Sequence, residues 1–253
     1  MPSTTASLRF AVTPAVGTKA YTAVFDPNDP KWVRETNFGY ETKEVIIENL
    51  RETKEPPAPL DSLGFQLVKS PTGFTAFSDD SQVEQKYYHE VVETLKQSTG
   101  ASRVIVYNHG AITRLRKEVP PAELSRLLQC RFQIISFWRP VLHTAYDTPL
   151  AVGNYWSFDT KSDTFPITLK DPSVDAHLQS EMLGVTYSRK QKWGYYYGMT
   201  PDEALIVKLF DSVQDGSVAT FTPHAAFDDP LTPKDAPPRE SVDQAVAYQG
   251  VKL

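Results

Sequence analysis

The residues with the clearest chemical potential are His224, in Phe221-Thr-Pro-His-Ala-Ala-Phe-Asp-Asp-Pro230, and Arg239, fifteen positions downstream in Pro238-Arg-Glu-Ser241. An imidazole can bind a metal or move a proton. A guanidinium matches a carboxylate in a two-toothed hydrogen-bonded pair. A His followed by an Arg at about this distance looks like the second half of a non-haem Fe(II)/2-oxoglutarate site. The first half is a His-x-Asp pair upstream. The chain has five histidines, at 89, 109, 143, 177 and 224, and none is followed two residues later by Asp or Glu. A facial triad needs two imidazoles and a carboxylate. On these residues alone no metal site is expected; any metal would rest on His224, with His109 or the pair His143 and Asp147 as conceivable replacement ligands.

Bulk properties narrow the function classes. At 253 residues the chain can bury one large core, and its net charge of −5 argues against nucleic acid as a partner. No run approaches the length of a membrane span, and the first residues lack the pattern of a secretory signal. The single Cys130 excludes an internal disulfide, and the simplest compartment is the cytoplasm. Oligomeric state is not legible.

The elements that must position these residues are mostly strands. Residues 1–59 read as an irregular arm packing on the core, with short strand candidates at 10–12 and 45–47. Residues 60–253 read as the main domain, so that one compact unit is expected. Ser78-Asp-Asp-Ser81 supplies capping chemistry for a helix over residues 81–98, whose apolar positions recur at helical spacing and which Gly100 ends. A second helix is expected over 122–128. Strands are expected at 64–68, 104–107, 132–138, 150–152, 155–158, 193–197, 204–210 and 242–248. His224 is expected in a turn. The pattern predicts a mainly β fold with flanking helices, a β-sandwich or jelly roll.

Several segments together resemble one family. They are Val45-Ile-Ile-Glu-Asn-Leu-Arg51, Leu60-Asp-Ser-Leu-Gly-Phe-Gln-Leu67, Thr99-Gly-Ala-Ser-Arg-Val-Ile-Val-Tyr-Asn-His109, Arg131-Phe-Gln-Ile-Ile-Ser-Phe-Trp-Arg-Pro140, Asp147-Thr-Pro-Leu-Ala151, Lys208-Leu-Phe-Asp-Ser212, Pro223-His-Ala-Ala-Phe-Asp-Asp-Pro230 and Arg239-Glu-Ser241. The set resembles the cephem-methoxylase-like hydroxylase/desaturase family of fungal natural-product tailoring proteins. The resemblance implies a double-stranded β-helix (cupin-like jelly roll) with Fe(II) and 2-oxoglutarate as cofactors. It also places the His-x-Asp pair after the Asn108-His109 position. There His109-Gly110 runs directly into Ala111-Ile-Thr-Arg114, as if a few dozen residues were missing. Three family polar positions also differ, at Ser136, Gln191 and Ala245.

Losses confined to the polar inventory favour a pocket emptied of iron. The leading expectation is therefore a metal-independent tailoring enzyme, working without cofactors, that cyclises, isomerises, epimerises or dehydrates a small-molecule substrate. His224 would move a proton, and Arg239 or Arg139 would stabilise negative charge. Trp138, Trp193, Tyr195, Tyr197, Asn108 and His109 would line the substrate pocket. Two alternatives stand beside it. One is an Fe(II)/2-oxoglutarate-dependent hydroxylase or desaturase with atypical ligands, and the other is a non-catalytic substrate-binding or partner subunit.

Overall fold

The computed structural model describes residues 3–23, 35–53, 58–107, 129–171, 175–176 and 179–249. These residues form two compact units, where a single one was expected. The first comprises Met1–Ala6, Ile46–Trp156 and Lys192–Leu253; the second comprises Ser7–Val45 and Ser157–Gln191. The arm expected over 1–59 is not irregular. It carries β1 (Ser3–Val12), β2 (Ala20–Ala23) and β3 (Gly39–Asn49), because alternate side chains along β1 are buried and give it the period of a one-faced strand.

Two five-stranded sheets make a jelly roll. One sheet has the order β4 (Phe65–Lys69), β11 (Glu203–Asp211), β6 (Phe132–Pro140), β13 (Ser241–Gln249) and β5 (Arg103–Tyr107). The other has the order β1, β3, β10 (Trp193–Tyr195), β7 (Leu150–Gly153) and β12 (His224–Ala226). Trp138, Leu205 and Val207 of the first sheet pack with Val152 of the second in one buried cluster. Each such side chain contributes about 1.5–3 kcal/mol by leaving water.

The outer face of the β6 sheet is covered by a helical layer. Asp79 accepts from the backbone N–H groups of Ser81 and Gln82 and starts α2 (Asp80–Gln82). A π-helical turn (Val83–Tyr87) and α3 (Tyr88–Thr99) follow. Val83, Tyr87, Val91 and Leu95 recur every four residues and are all buried, so a single stripe meets the sheet. Gly100 ends the helix in the left-handed region at φ 70°. A short α1 (Leu60–Leu63) precedes β4.

The second unit holds a three-stranded sheet of order β2, β8 (Thr164–Lys170) and β9 (Ser180–Val185), with Phe38, Phe165 and Ile167 in its core. Residues 155–158, read as strand, contain instead a 3-10 turn at Tyr155–Ser157, where the Asn154 side chain accepts from the Trp156 N–H. The helix expected at 122–128 lies outside the described residues.

Candidate functional site

His224 sits on a strand, not in a turn, and β12 is the edge of its sheet. It pairs with Val152, which pairs in turn with Gly194. Directly paired residues share a face. His224 therefore lies on the face of Val152, which packs toward Trp138 and Leu205, and at the sheet edge it is solvent-exposed. Its Nδ1 lies 2.9 Å from the Thr222 carbonyl oxygen. A carbonyl can only accept, so this contact puts the ring proton on Nδ1 and leaves the Nε2 lone pair without a partner among the described residues. A metal-binding imidazole is oriented in this way.

Arg239 lies just before β13. Its backbone N–H donates to an Asp147 side-chain oxygen at 3.2 Å, and its Nη1 donates to the Thr148 carbonyl. Its Cζ lies 5.9 Å from the centre of the Trp138 ring. Burial lowers the Arg239 pKa from its ordinary value, and the Asp147 carboxylate partly opposes this. The remaining guanidinium donors can take an incoming carboxylate.

The same alternation separates other candidates from this site. Arg139 follows Trp138 and points to the opposite face of β6, among the helix-side residues Phe137 and Tyr87, whose rings lie 5.8 and 5.7 Å from its Cζ. It is fully buried and donates to the Ser70 carbonyl. Arg139 is thus removed from the catalytic set. Trp193 and Tyr195 flank Gly194 in β10, so they face away from Val152 and His224, and Tyr195 packs on Phe227 at 5.3 Å. Burial raises the Tyr195 pKa, and the Asp229 carboxylate adds to the rise. They are core residues of the far side of the sheet, not a wall shared with His224.

Tyr197, beyond the end of β10, does reach a cleft of about 540 Å³, whose lining includes Arg51, Lys69, Tyr146, Thr200 and Glu203. Its ring centre is 5.3 Å from that of Tyr146. Tyr146 directly precedes Asp147 and Thr148, the two residues that hold Arg239. His143 makes no ligand set with Asp147: its Nδ1 contacts the Thr144 carbonyl at 3.2 Å, and Asp147 is committed to Arg239. Asn108 and His109 lie outside the described residues.

Sequence reasoning missed Thr222, whose contribution is a backbone carbonyl and carries no sequence signal. It also missed Asp243, whose side chain accepts from Ser136 at 2.5 Å on the Trp138 face. An exposed acid alternating with the buried residues of a strand was the available signal there.

A family described as an oxidoreductase/YMDC permease-like domain matches residues 8–118 and 108–246. The two stretches meet where the His-x-Asp segment would stand. A hydroxylase/desaturase from Cercospora beticola is 33% identical, over 76% of this chain and 72% of that protein. The chain belongs to this oxidoreductase-like hydroxylase/desaturase family. An Fe(II)/2-oxoglutarate-dependent dioxygenase from Aspergillus novofumigatus is 29% identical, covering 83% of this chain and 84% of that protein. A solved structure of the iron and alpha-ketoglutarate-dependent endoperoxidase NvfI superposes with a TM-score of 0.82 at 25% identity, over 99% of both chains.

These relatives correct the expectation of a cofactor-free cyclase or isomerase on a scaffold that had lost its iron. Relatives named as alpha-ketoglutarate-dependent or Fe(II)/2-oxoglutarate-dependent dioxygenases match over 83% of this chain and the endoperoxidase structure over 99%, and the cofactors implied are theirs. A match along nearly the whole chain outweighs the absence of one short motif.

The described residues fit those cofactors in part. His224 offers an oriented imidazole and Arg239 a half-buried guanidinium with donors to spare. Among the described residues no three His, Cys, Asp or Glu side chains cluster as a complete ligand set. The sequence of residues 108–128, outside the described set, holds His109, Glu118 and Glu123.

Proposed function

We propose that this protein is an Fe(II)/2-oxoglutarate-dependent oxygenase that hydroxylates or desaturates a small natural-product intermediate. The observation that carries the reading is the His224 ring, fixed through Nδ1 with Nε2 free, on the same jelly-roll face as Val152 and Trp138. His224 is the metal ligand contributed by the strand side of the fold. Arg239 holds the far carboxylate of the co-substrate; its backbone N–H is anchored on Asp147, and the Thr148 carbonyl fixes the direction of its fork. Bound there, iron and 2-oxoglutarate supply the activation of dioxygen. The chain's own part is binding, orientation and exclusion of water. Trp138, Val152 and Leu205 make the neighbouring wall apolar, which strengthens the charge–charge contacts of Arg239.

The cleft beside Tyr146 and Tyr197 seats the substrate, because its wall continues into the loop that holds Arg239. The assignment of these residues is ours, and it draws support from relatives named as hydroxylases/desaturases of fungi. Among the described residues no helix is long and apolar enough to cross a membrane. The lone Cys130 supports a reducing, cytoplasmic setting.

The test is anaerobic titration of the purified protein with Fe(II) and 2-oxoglutarate, read by the charge-transfer absorption of the ternary complex, and then succinate release in air. Both signals are expected in the wild type, with His224→Ala abolishing both. Full folding with neither signal would overturn the proposal.

A further inference from the structure

Four charged residues meet at the root of the segment that carries His224. Arg131 donates to both oxygens of Asp61, at 2.6 and 2.9 Å, and to both oxygens of Asp211, at 2.6 and 3.2 Å. The Lys208 ammonium lies 2.7 Å from each carboxylate. The Lys208 and Asp211 side chains are both fully buried. Lys208 interrupts the apolar run of β11, where an aliphatic residue would satisfy the sheet. Buried ion pairs are often no better for stability than apolar replacements, so stability alone does not account for a lysine here.

The backbone of the same residues leads straight to the imidazole. The Lys208 N–H donates to the Gly64 carbonyl at 2.8 Å, and the Lys208 carbonyl accepts from the Thr222 N–H at 2.7 Å. The Asp61 carbonyl accepts from the Ala219 N–H at 2.9 Å. Gly64 allows the close approach: a Cβ there would stand 2.4 Å from the Thr222 hydroxyl oxygen. Thr222 then presents its own carbonyl to His224 Nδ1 at 2.9 Å.

We infer that the Asp61–Arg131–Lys208–Asp211 cluster is a positioning device that fixes the tautomer and aim of His224 through the backbone of Thr222. Lys208 is its central residue, since the cluster holds its side chain and Thr222 rests on its carbonyl. Asp61 acts in parallel, through Ala219. The inference deepens the proposal that His224 is the iron ligand and rests on it for the consequence to metal binding.

The experiment uses the full chain labelled with ¹⁵N-histidine. In the metal-free wild type, long-range ¹⁵N–¹H spectra should show His224 as a single tautomer protonated on Nδ1, with the signal assigned by His224→Gln. Lys208→Met, similar in volume, should keep a cooperative melt and give His224 as a mixture of tautomers. Should Lys208→Met fail to fold, Asp61→Asn carries the test, because both cations keep Asp211 as a partner. A single Nδ1–H tautomer in both variants, or in Asp61→Asn alone where Lys208→Met does not fold, overturns the inference.

A cobalt titration, read by visible absorption with Co(II) alone as probe, separates the two proposals. Outer contacts to a metal ligand are worth about 10–100-fold in affinity, and Lys208→Met should weaken cobalt at least ten-fold. Cobalt binding that His224→Gln leaves unchanged would overturn the iron reading, and with it the metal role of the cluster. A tautomer change in the same experiment would still uphold the positioning itself.

Discussion

At Arg239 the Thr148 carbonyl holds the guanidinium and the Asp147 side chain holds the backbone N–H, while burial disfavours the charge. A cation held this way is stabilised further by an anion arriving from solution. Truncating one partner of a buried, hydrogen-bonded charge pair costs about 2–5 kcal/mol, so Arg239→Gln should raise the apparent KM for 2-oxoglutarate at least ~30-fold. Steady-state kinetics in 2-oxoglutarate, with the primary substrate saturating, measures this. An unchanged KM would remove Arg239 from the co-substrate site. Asp61 makes a second residue-scale prediction. Burial alone would raise its pKa, yet hydrogen bonds from Arg131 and Lys208 hold it below the ordinary 3.8. A carboxyl lowered in the folded state stabilises the fold fully above its unfolded value and loses that contribution as pH falls through the folded value. Urea midpoints should therefore drop as pH falls below the ordinary 3.8, and Asp61→Asn should flatten that drop. An equal drop in the variant would show that other carboxylates dominate acid unfolding.

At the scale of elements, the joint between α1, β4 and the segment leading to β12 turns on Gly64. Its φ of +89° lies in the left-handed region, and an added Cβ would also meet the Phe221 carbonyl oxygen at 2.9 Å. The left-handed conformation costs an L-residue about 1–2 kcal/mol, and overpacking typically adds about 1–3 kcal/mol. Gly64→Ala should destabilise the protein by about 2–5 kcal/mol, visible as a lowered urea midpoint at unchanged slope; a loss below ~1 kcal/mol would mean the joint can open. The elements most legible in the sequence were those with one strong period. The helix through residue 98 had its cap and stripe, and β6 and β11 were apolar runs bounded by polar ends. β8 and β9 escaped notice because Pro166 and Glu181 break their pattern and Met182 and Leu183 stay exposed. Sidedness was legible but not applied: alternation alone puts Arg139 opposite Trp138, and Trp193 opposite Gly194. Which of those faces looks toward His224 was not legible, since it depends on pairing between residues forty or more positions apart.

For the whole molecule, His224 and Arg239 of the proposed site belong to the first compact unit, whose sheets join segments from across the chain. The missing His-x-Asp pattern is a local fact, whereas the framework that matches the dioxygenase relatives spans the chain. If that framework still binds its cofactors, ligand and stability must be linked. A ligand that binds the folded state alone adds about 2.7 kcal/mol at one hundred times its Kd. For a chain of this length each kcal/mol moves the melting temperature by about 2–4 °C. Manganese(II) with 2-oxoglutarate, used in place of iron to avoid oxidation, should therefore raise the calorimetric midpoint by roughly 5–10 °C at that excess, and a chelator should reverse the shift. His224→Ala should abolish the shift because the metal loses its oriented imidazole. Arg239→Gln should leave the response to manganese alone and remove the increment from 2-oxoglutarate. A midpoint that ignores both ligands in the wild type would contradict the oxygenase reading without need of the true substrate, since it tests the site before any chemistry occurs.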